Sequence, residues 1–231
     1  RRAWVHPAGP ILCKRTISEP SLSRLTFVAE GERACFTRPE SRADRVSYPV
    51  ITPSAAAGLI RSVFWKPEIR WMIREVQILK PLKWGSRQAS ELMKPATPER
   101  RSPDRMHRHT EFLKDVAYRI KAEVKIVGGE ADYGKYLAQF ERRLGRGQFY
   151  DSPYLGLREF PAFLREPEED DDPIDLDLRL RIFQGWEYER SFAKGDEEDF
   201  DGRAKEARFV TARIEDGVYA LSRGDYDWIG G

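Results

Sequence analysis

Cysteine and histidine are scarce in this 231-residue chain: there are two cysteines, Cys13 and Cys35, and three histidines. A structural zinc site usually needs four such ligands close together, and neither cysteine belongs to a Cys-x-x-Cys pair, so no metal site is expected. Cys35, beside Phe36, reads instead as a small buried residue. No apolar run approaches the ~18 residues that span a bilayer. No early segment has the charged, apolar and small-residue blocks of a signal peptide. Both absences point to the cytoplasm and away from a membrane. G-x-x-x-x-G-K-[ST] and G-x-G-x-x-G loops are missing, which argues against nucleoside triphosphates and dinucleotides. So are G-x-S-x-G and H-E-x-x-H, and no cofactor is expected.

Net charge is nearly absent too, at +2, until the chain is divided. Residues 1–150 hold 29 Lys and Arg against 16 Asp and Glu, a net +13, while residues 151–231 hold 11 against 22, a net −11. A basic region of that size suits a polyanion such as nucleic acid; solvated charge on ordinary surface elements is the plainer reading. Hydrophobic residues at 40% and charged residues at 34% mark a soluble globular chain, long enough for one large or two small domains.

Residues 1–22 have no clean period and contain Pro7, Pro10 and Pro20, as an irregular arm would. Leu25, Phe27 and Ala29 alternate as in a strand. Thr52 and Pro53 open a helix, as N-cap and first helical residue, whose apolar face is Leu59, Ile60, Val63 and Phe64. Ile69, Trp71 and Ile73 alternate with Arg70, Met72 and Arg74, a half-buried strand continuing to Ile78. Residues 83–106 are polar and hold Pro95, Pro98 and Pro103. A structureless stretch of that length is usually functional or disordered. Val116 to Ile126 is the clearest strand. Tyr133, Tyr136, Leu137, Phe140 and Leu144 recur at helical spacing, closed by Gly145. A further strand is expected near Leu155–Leu164. The order β-α-β-β-α-β predicts an α+β, ferredoxin-like (RRM-like) domain over residues 23–165. Residues 166–231 read as a small antiparallel β-sheet domain with solvated acidic loops at Glu166–Asp172 and Asp196–Asp201. Asp216-Gly217 suits its hairpin turn.

Two of the three histidines lie in Met106-His107-Arg108-His109, near Arg101 and Arg105. Such a group can cleave RNA without a metal. A base takes the proton of a 2′-hydroxyl, which attacks the neighbouring phosphate. A cation stabilises the pentacoordinate charge, and an acid protonates the leaving 5′-oxygen. Histidine titrates near pH 6.5 and suits either proton role. Arginine holds its proton too tightly to be the acid, but clamps phosphate bidentately. The same residues also read as surface groups or simple phosphate contacts. Tyr48 either closes the preceding Arg42/Arg45 loop on the sheet as a half-buried aromatic, or aims its hydroxyl at ribose or phosphate. Phe36, Trp65, Trp71, Trp84 and Tyr118 are candidate base-stacking residues; most read as core, with Trp84 the one expected to be exposed.

Three runs, Ala34-Cys35-Phe36-Thr37-Arg38-Pro39-Glu40, Arg45-Val46-Ser47-Tyr48-Pro49-Val50-Ile51-Thr52-Pro53-Ser54-Ala55-Ala56 and Phe64-Trp65-Lys66-Pro67-Glu68-Ile69-Arg70-Trp71, closely resemble the CRISPR-associated guide-RNA-processing protein of type I-C systems. Asp115-Val116-Ala117-Tyr118-Arg119-Ile120 and Pro153-Tyr154-Leu155-Gly156-Leu157-Arg158-Glu159-Phe160 extend the likeness, as do Arg142-Arg143 with Gly145 and Gly147. It covers residues 24–165 well and the tail loosely. The resemblance implies a ferredoxin-like domain with a β-sheet extension. It also implies metal-independent endoribonuclease cleavage of precursor CRISPR RNA at the repeat hairpin, as part of antiviral defence. The partners implied are guide RNA and the backbone and large subunits of a surveillance complex. The family's active site joins a tyrosine, matched by Tyr48, to a Lys-His pair, matched most closely by Arg108-His109 with arginine in place of lysine; His107 is the other candidate histidine. Tyr48, Arg108 and His109 are therefore the expected catalytic residues. Arg38, Arg45, Lys66, Arg70, Lys80 and Lys83 are the expected RNA contacts. A non-catalytic guide-RNA scaffold is the alternative. A general RNA-recognition domain fits less well, because its aromatic strand signature is missing.

Overall fold

A computed structural model describes residues 24–41, 44–67, 69–92, 105–126, 133–188 and 204–221. The arm expected over 1–22, Arg42, the prolines of the 83–106 segment and the acidic run Asp196–Asp201 lie outside the described residues. Along the chain come β1 (Arg24–Ala34), β2 (Arg45–Val46), α1 (Pro53–Val63), β3 (Ile69–Ile78), β4 (Lys83–Leu92) and β5 (Arg105–Ile126). They are followed by α2 (Tyr133–Gly145), β6 (Phe163–Arg165), β7 (Leu178–Tyr188), β8 (Ala204–Glu215) and β9 (Val218–Ala220). Among the described residues no helix is long and apolar enough to cross a membrane.

The strands form one mostly antiparallel sheet in the order β6-β1-β5-β3-β9-β8-β7, and β2 and β4 attach to β5. β5 is its spine. On one side it pairs with β1, from Arg24↔Glu123 to Ala34↔Leu113, and then with the parallel β2 through Arg45↔Thr110 and Val46↔Glu111. On the other it pairs with β3 up to Ile78↔Tyr118 and then with β4, from Lys83↔Lys114 to Leu92↔Arg105. Asp115, at φ 50°, interrupts the alternation. Leu113 and Val116 both face the main core as a result, although strict period two would separate them.

Both helices pack against the sheet. The Thr52 hydroxyl oxygen accepts from the Ala55 N–H at 3.2 Å, and Pro53 follows as expected, so α1 begins where its cap predicts. Leu59, Ile60 and Val63 enter the core. Phe140 of α2 lies between Phe27 of β1 and Trp71 of β3, with ring centres 5.8 and 5.7 Å away. Arg143 ties the helices together: it donates to the Val63 carbonyl at 3.0 Å, and its guanidinium lies 5.3 Å from the centre of the Phe64 ring.

Three expectations need correction. The polar segment from residue 83 is a strand as far as Leu92; its ladder comes from a long partner, β5, rather than from an apolar face of its own. Of the strand expected over Leu155–Leu164, only the end pairs, as β6 on β1. Residues 154–161 instead form a compact loop, with Leu155 N–H donating to Phe160 O at 2.8 Å and Phe160 N–H to Leu157 O at 2.9 Å. The reason is Gly156: its φ is +84°, and a Cβ there would stand 2.0 Å from the Cys35 carbonyl oxygen. The acidic spacer is not uniformly solvated either. Glu166 to Asp170 are exposed, but Asp171 is buried and takes two hydrogen bonds from Arg165, at 2.8 and 2.6 Å. The C-terminal strands continue the sheet through β9 on β3, and Ile182, Ala212, Ile214, Tyr219 and Leu221 belong to the same core as β1 and β5.

Candidate functional site

Tyr48 sits where the loop after β1 returns along β5. Its N–H donates to Phe36 O at 2.8 Å, and the preceding Ser47 N–H donates to Glu111 O at 3.1 Å. The Ser47 hydroxyl accepts from Phe36 N–H at 2.9 Å and donates to Tyr48 O at 2.7 Å. These bonds fix the backbone on both sides of the tyrosine. The ring is 3% exposed and belongs to the main core, and the Arg38 guanidinium lies 5.3 Å from its centre. The Arg38 Nε is buried and meets no acceptor among the described residues.

His107, Arg108 and His109 are on β5, not in a loop, opposite Ser90, Ala89 and Gln88 of β4. The pleat separates them. His107 and His109 fall on the face that carries Leu113, which is also the face where Tyr48 is buried. Arg108 falls on the other face with Thr110 and Phe112. Asp44 accepts from the His109 backbone N–H at 3.0 Å, tying the loop before β2 to the histidine.

The cations divide into groups. Arg45 and Arg87, opposite Thr110 across β2 and β4, both pair with Glu159 of the 154–161 loop, Arg45 at 3.5 Å. Lys80 and Lys83 both pair with Asp115, at 2.8 and 3.2 Å, and these bonds hold its carboxyl below the usual range. Lys66 follows α1, and Arg70 stands on β3 opposite Lys125. The structure thus gathers Arg38 at Tyr48 and Arg45 on the seam beside it. Lys80 and Lys83 lie together further along β5.

A cavity of about 550 Å³ opens beside Tyr48, lined also by Thr52, Trp65, Tyr150, Asp151 and Tyr154. Trp65 is 50% exposed, contrary to a core role, and Trp84 is 46% exposed as expected; Phe36, Trp71 and Tyr118 are buried. Tyr118 is thereby removed from surface chemistry, and burial pushes its phenol pKa up. The first turn of α1 carries no acidic residue, and Thr52, Ser54 and Ala55 at its start line the cavity. Sequence reasoning missed Tyr150 and Tyr154. Trp65, just past the end of α1, was among the candidate stacking residues and is the one of them that lines the cavity with an exposed side chain.

Comparison with known proteins places this arrangement. Residues 25–221 match the family described as CRISPR-associated protein (Cas_Cas5), a span that runs from β1 into the end of the C-terminal sheet. The chain belongs to this CRISPR-associated Cas5 family. Its branch is the Cas5d one of type I-C systems. It is 42% identical over 168 residues to a CRISPR pre-crRNA endoribonuclease Cas5d of Thermus thermophilus, covering 70% of this chain and 73% of that protein. It is 38% identical over 173 residues to the Cas5d of Mannheimia succiniciproducens, which carries the same description, covering 67% and 76%. A crystal structure of a CRISPR-associated protein shares the fold at 19% identity and a TM-score of 0.61, covering 86% of this chain and 91% of that one.

Proposed function

We propose that this protein is an endoribonuclease that cuts precursor CRISPR RNA at the repeat hairpin by metal-independent transesterification and stays with the mature guide RNA in a surveillance complex. The activity named for its Cas5d relatives supports this reading. The observation that carries the site is the seam between β2 and β5. It holds Tyr48 under Arg38 and sets His109 on the same face of the sheet. Tyr48 and His109 handle the protons. One takes the 2′-hydroxyl proton as the 2′-oxygen bonds to phosphorus; the other gives a proton to the 5′-oxygen as its bond to phosphorus breaks. The products are a 2′,3′-cyclic phosphate and a 5′-hydroxyl. Arg108, on the opposite face, clamps a phosphate of the RNA strand as it crosses β5, and Arg38 supplies positive charge beside Tyr48. Arg45, Lys66, Arg70, Lys80 and Lys83 are the further backbone contacts.

The path β1-α1-β3-β5-α2-β6, with those four strands ordered β6-β1-β5-β3, supports reading residues 23–165 as a ferredoxin-like unit and 166–231 as an extension riding on it. The test is cleavage of a labelled repeat hairpin in EDTA by wild type, Tyr48→Phe and His109→Ala. Wild type should cut, and both variants should lose cutting while keeping RNA affinity. Tight binding without cleavage by wild type would leave a scaffold in place of an enzyme.

A further inference from the structure

The cavity beside Tyr48 has walls that the cleavage chemistry does not use. One is the outward face of α1, where Ala55, Gly58 and Arg61 lead to Trp65 just past the helix end. Tyr150 and Tyr154, 75% and 37% exposed, line the cavity as well. Three large aromatic rings thus border one opening next to a core-anchored tyrosine.

The backbone that carries two of these rings is held in place. The N–H groups of Tyr150 and Asp151 both donate to the Ser62 carbonyl, at 2.7 and 3.1 Å, which fastens one end of the loop to α1. At the other end Gly156 lies flat on the Cys35 carbonyl, and Leu155 O accepts from Cys35 N–H at 3.0 Å. The loop bearing Tyr150 and Tyr154 is therefore anchored to the segment that leads to Tyr48. The space at Gly58 is open: a Cβ there would meet nothing within 4 Å. The volume lies within the range of about 300–1,000 Å³ typical of small-ligand sites.

We infer that this cavity is a nucleobase pocket: one unpaired nucleotide of the RNA, next to the cleaved bond, inserts its base among Trp65, Tyr150 and Tyr154 and leaves its ribose toward Tyr48. This rests on the nuclease reading above and adds what selects the site of cutting. Bases within the hairpin stem are stacked on each other and cannot enter; an unpaired base can, and aromatic faces are how proteins hold one. Arg61 suits a flanking phosphate. Asp151 offers an acceptor to a base amino group.

The test uses the whole protein and its own repeat hairpin, with 2-aminopurine at each unpaired position flanking the stem in turn. Binding by wild type should quench the fluorescence at one position. Tyr150→Ala and Gly58→Leu should lose that quenching and weaken binding about tenfold, while Tyr150→Phe keeps both. Gly58→Leu has room to fold, which a thermal melt checks. On RNA lacking the base at that position, wild type and Tyr150→Ala should bind equally. An equal penalty on intact and abasic RNA, or quenching that survives both variants, would overturn the pocket. Wild type that quenches but never cuts would end the nuclease reading alone. Cutting without quenching at any position would end the pocket alone, and no binding would end both.

Discussion

The Arg38 guanidinium lies 5.3 Å from the centre of the Tyr48 ring, on the segment that precedes β2. A cation over a phenol ring holds that ring in place and adds positive charge beside it. Arg38→Ala should slow single-turnover cleavage about a hundredfold. It should change fold stability by only about 1 kcal/mol, the scale of such a contact. Single-turnover rates beside a denaturant melt separate the two effects.

Glu159 occupies Arg45 and Arg87 together. A carboxylate in that position competes with RNA phosphate for both guanidinium groups. Glu159→Gln should tighten RNA binding at low salt. It should also steepen the dependence of log affinity on log salt, by up to about two in slope, one for each arginine released. Titrations at several salt concentrations check this; an unchanged slope would show that neither arginine reaches the RNA.

Asp171 titrates at about 2, held down by its paired hydrogen bonds from Arg165 and helped by the Glu168 backbone N–H, against the opposing effect of burial. A carboxylate depressed in the folded state stabilises the fold above its unfolded pKa, near 4, and that contribution is lost as pH falls from about 4 to about 2. It should amount to about 2 kcal/mol at neutral pH. Asp171→Asn should lower stability at pH 7 and flatten this part of the acid profile, as urea melts across pH would show.

Gly156→Ala should destabilise by about 3 kcal/mol or more, because the backbone is left-handed and a carbonyl occupies the place of the methyl group. Gly147→Ala is the control. Its φ of +61° is also left-handed, but nothing stands within 4 Å of the added carbon. The cost there should be about 1 kcal/mol. Thermal melts of the two variants compare strain with clash directly.

Where local chemistry decides the structure, the sequence could be read. The Thr52-Pro53 start of α1, the alternation of β3 and of Val116–Ile126, and the Asp216-Gly217 turn all follow from short-range rules. β4 could not be read, because a ribbon of Lys83, Ser86, Arg87, Gln88 and Ser90 has no apolar face and exists only through its pairing with β5. The loop at Gly156 was hidden for the opposite reason: apolar Leu155, Leu157 and Ala162 imitate a strand, and the contact that forbids one is with Cys35, far away in the chain. Tyr48 and the two β5 histidines were visible as candidates through residue type and resemblance. That Arg108 and His109 fall on opposite faces follows from the strand itself, once these residues are known to lie in one. The cavity was not legible, since its walls come from the outside of α1 and a loop some ninety residues later.

β9 covers β3 through Glu75↔Ala220, Val76↔Tyr219 and Gln77↔Val218, so one side of an inner strand is completed by nearly the last described residues. During synthesis that row of backbone donors and acceptors leaves the ribosome bare and waits for well over a hundred further residues to be made. An unpaired strand edge recruits strands from other chains. A nascent chain stalled before residue 218 should therefore carry an adhesive edge and clump with its neighbours.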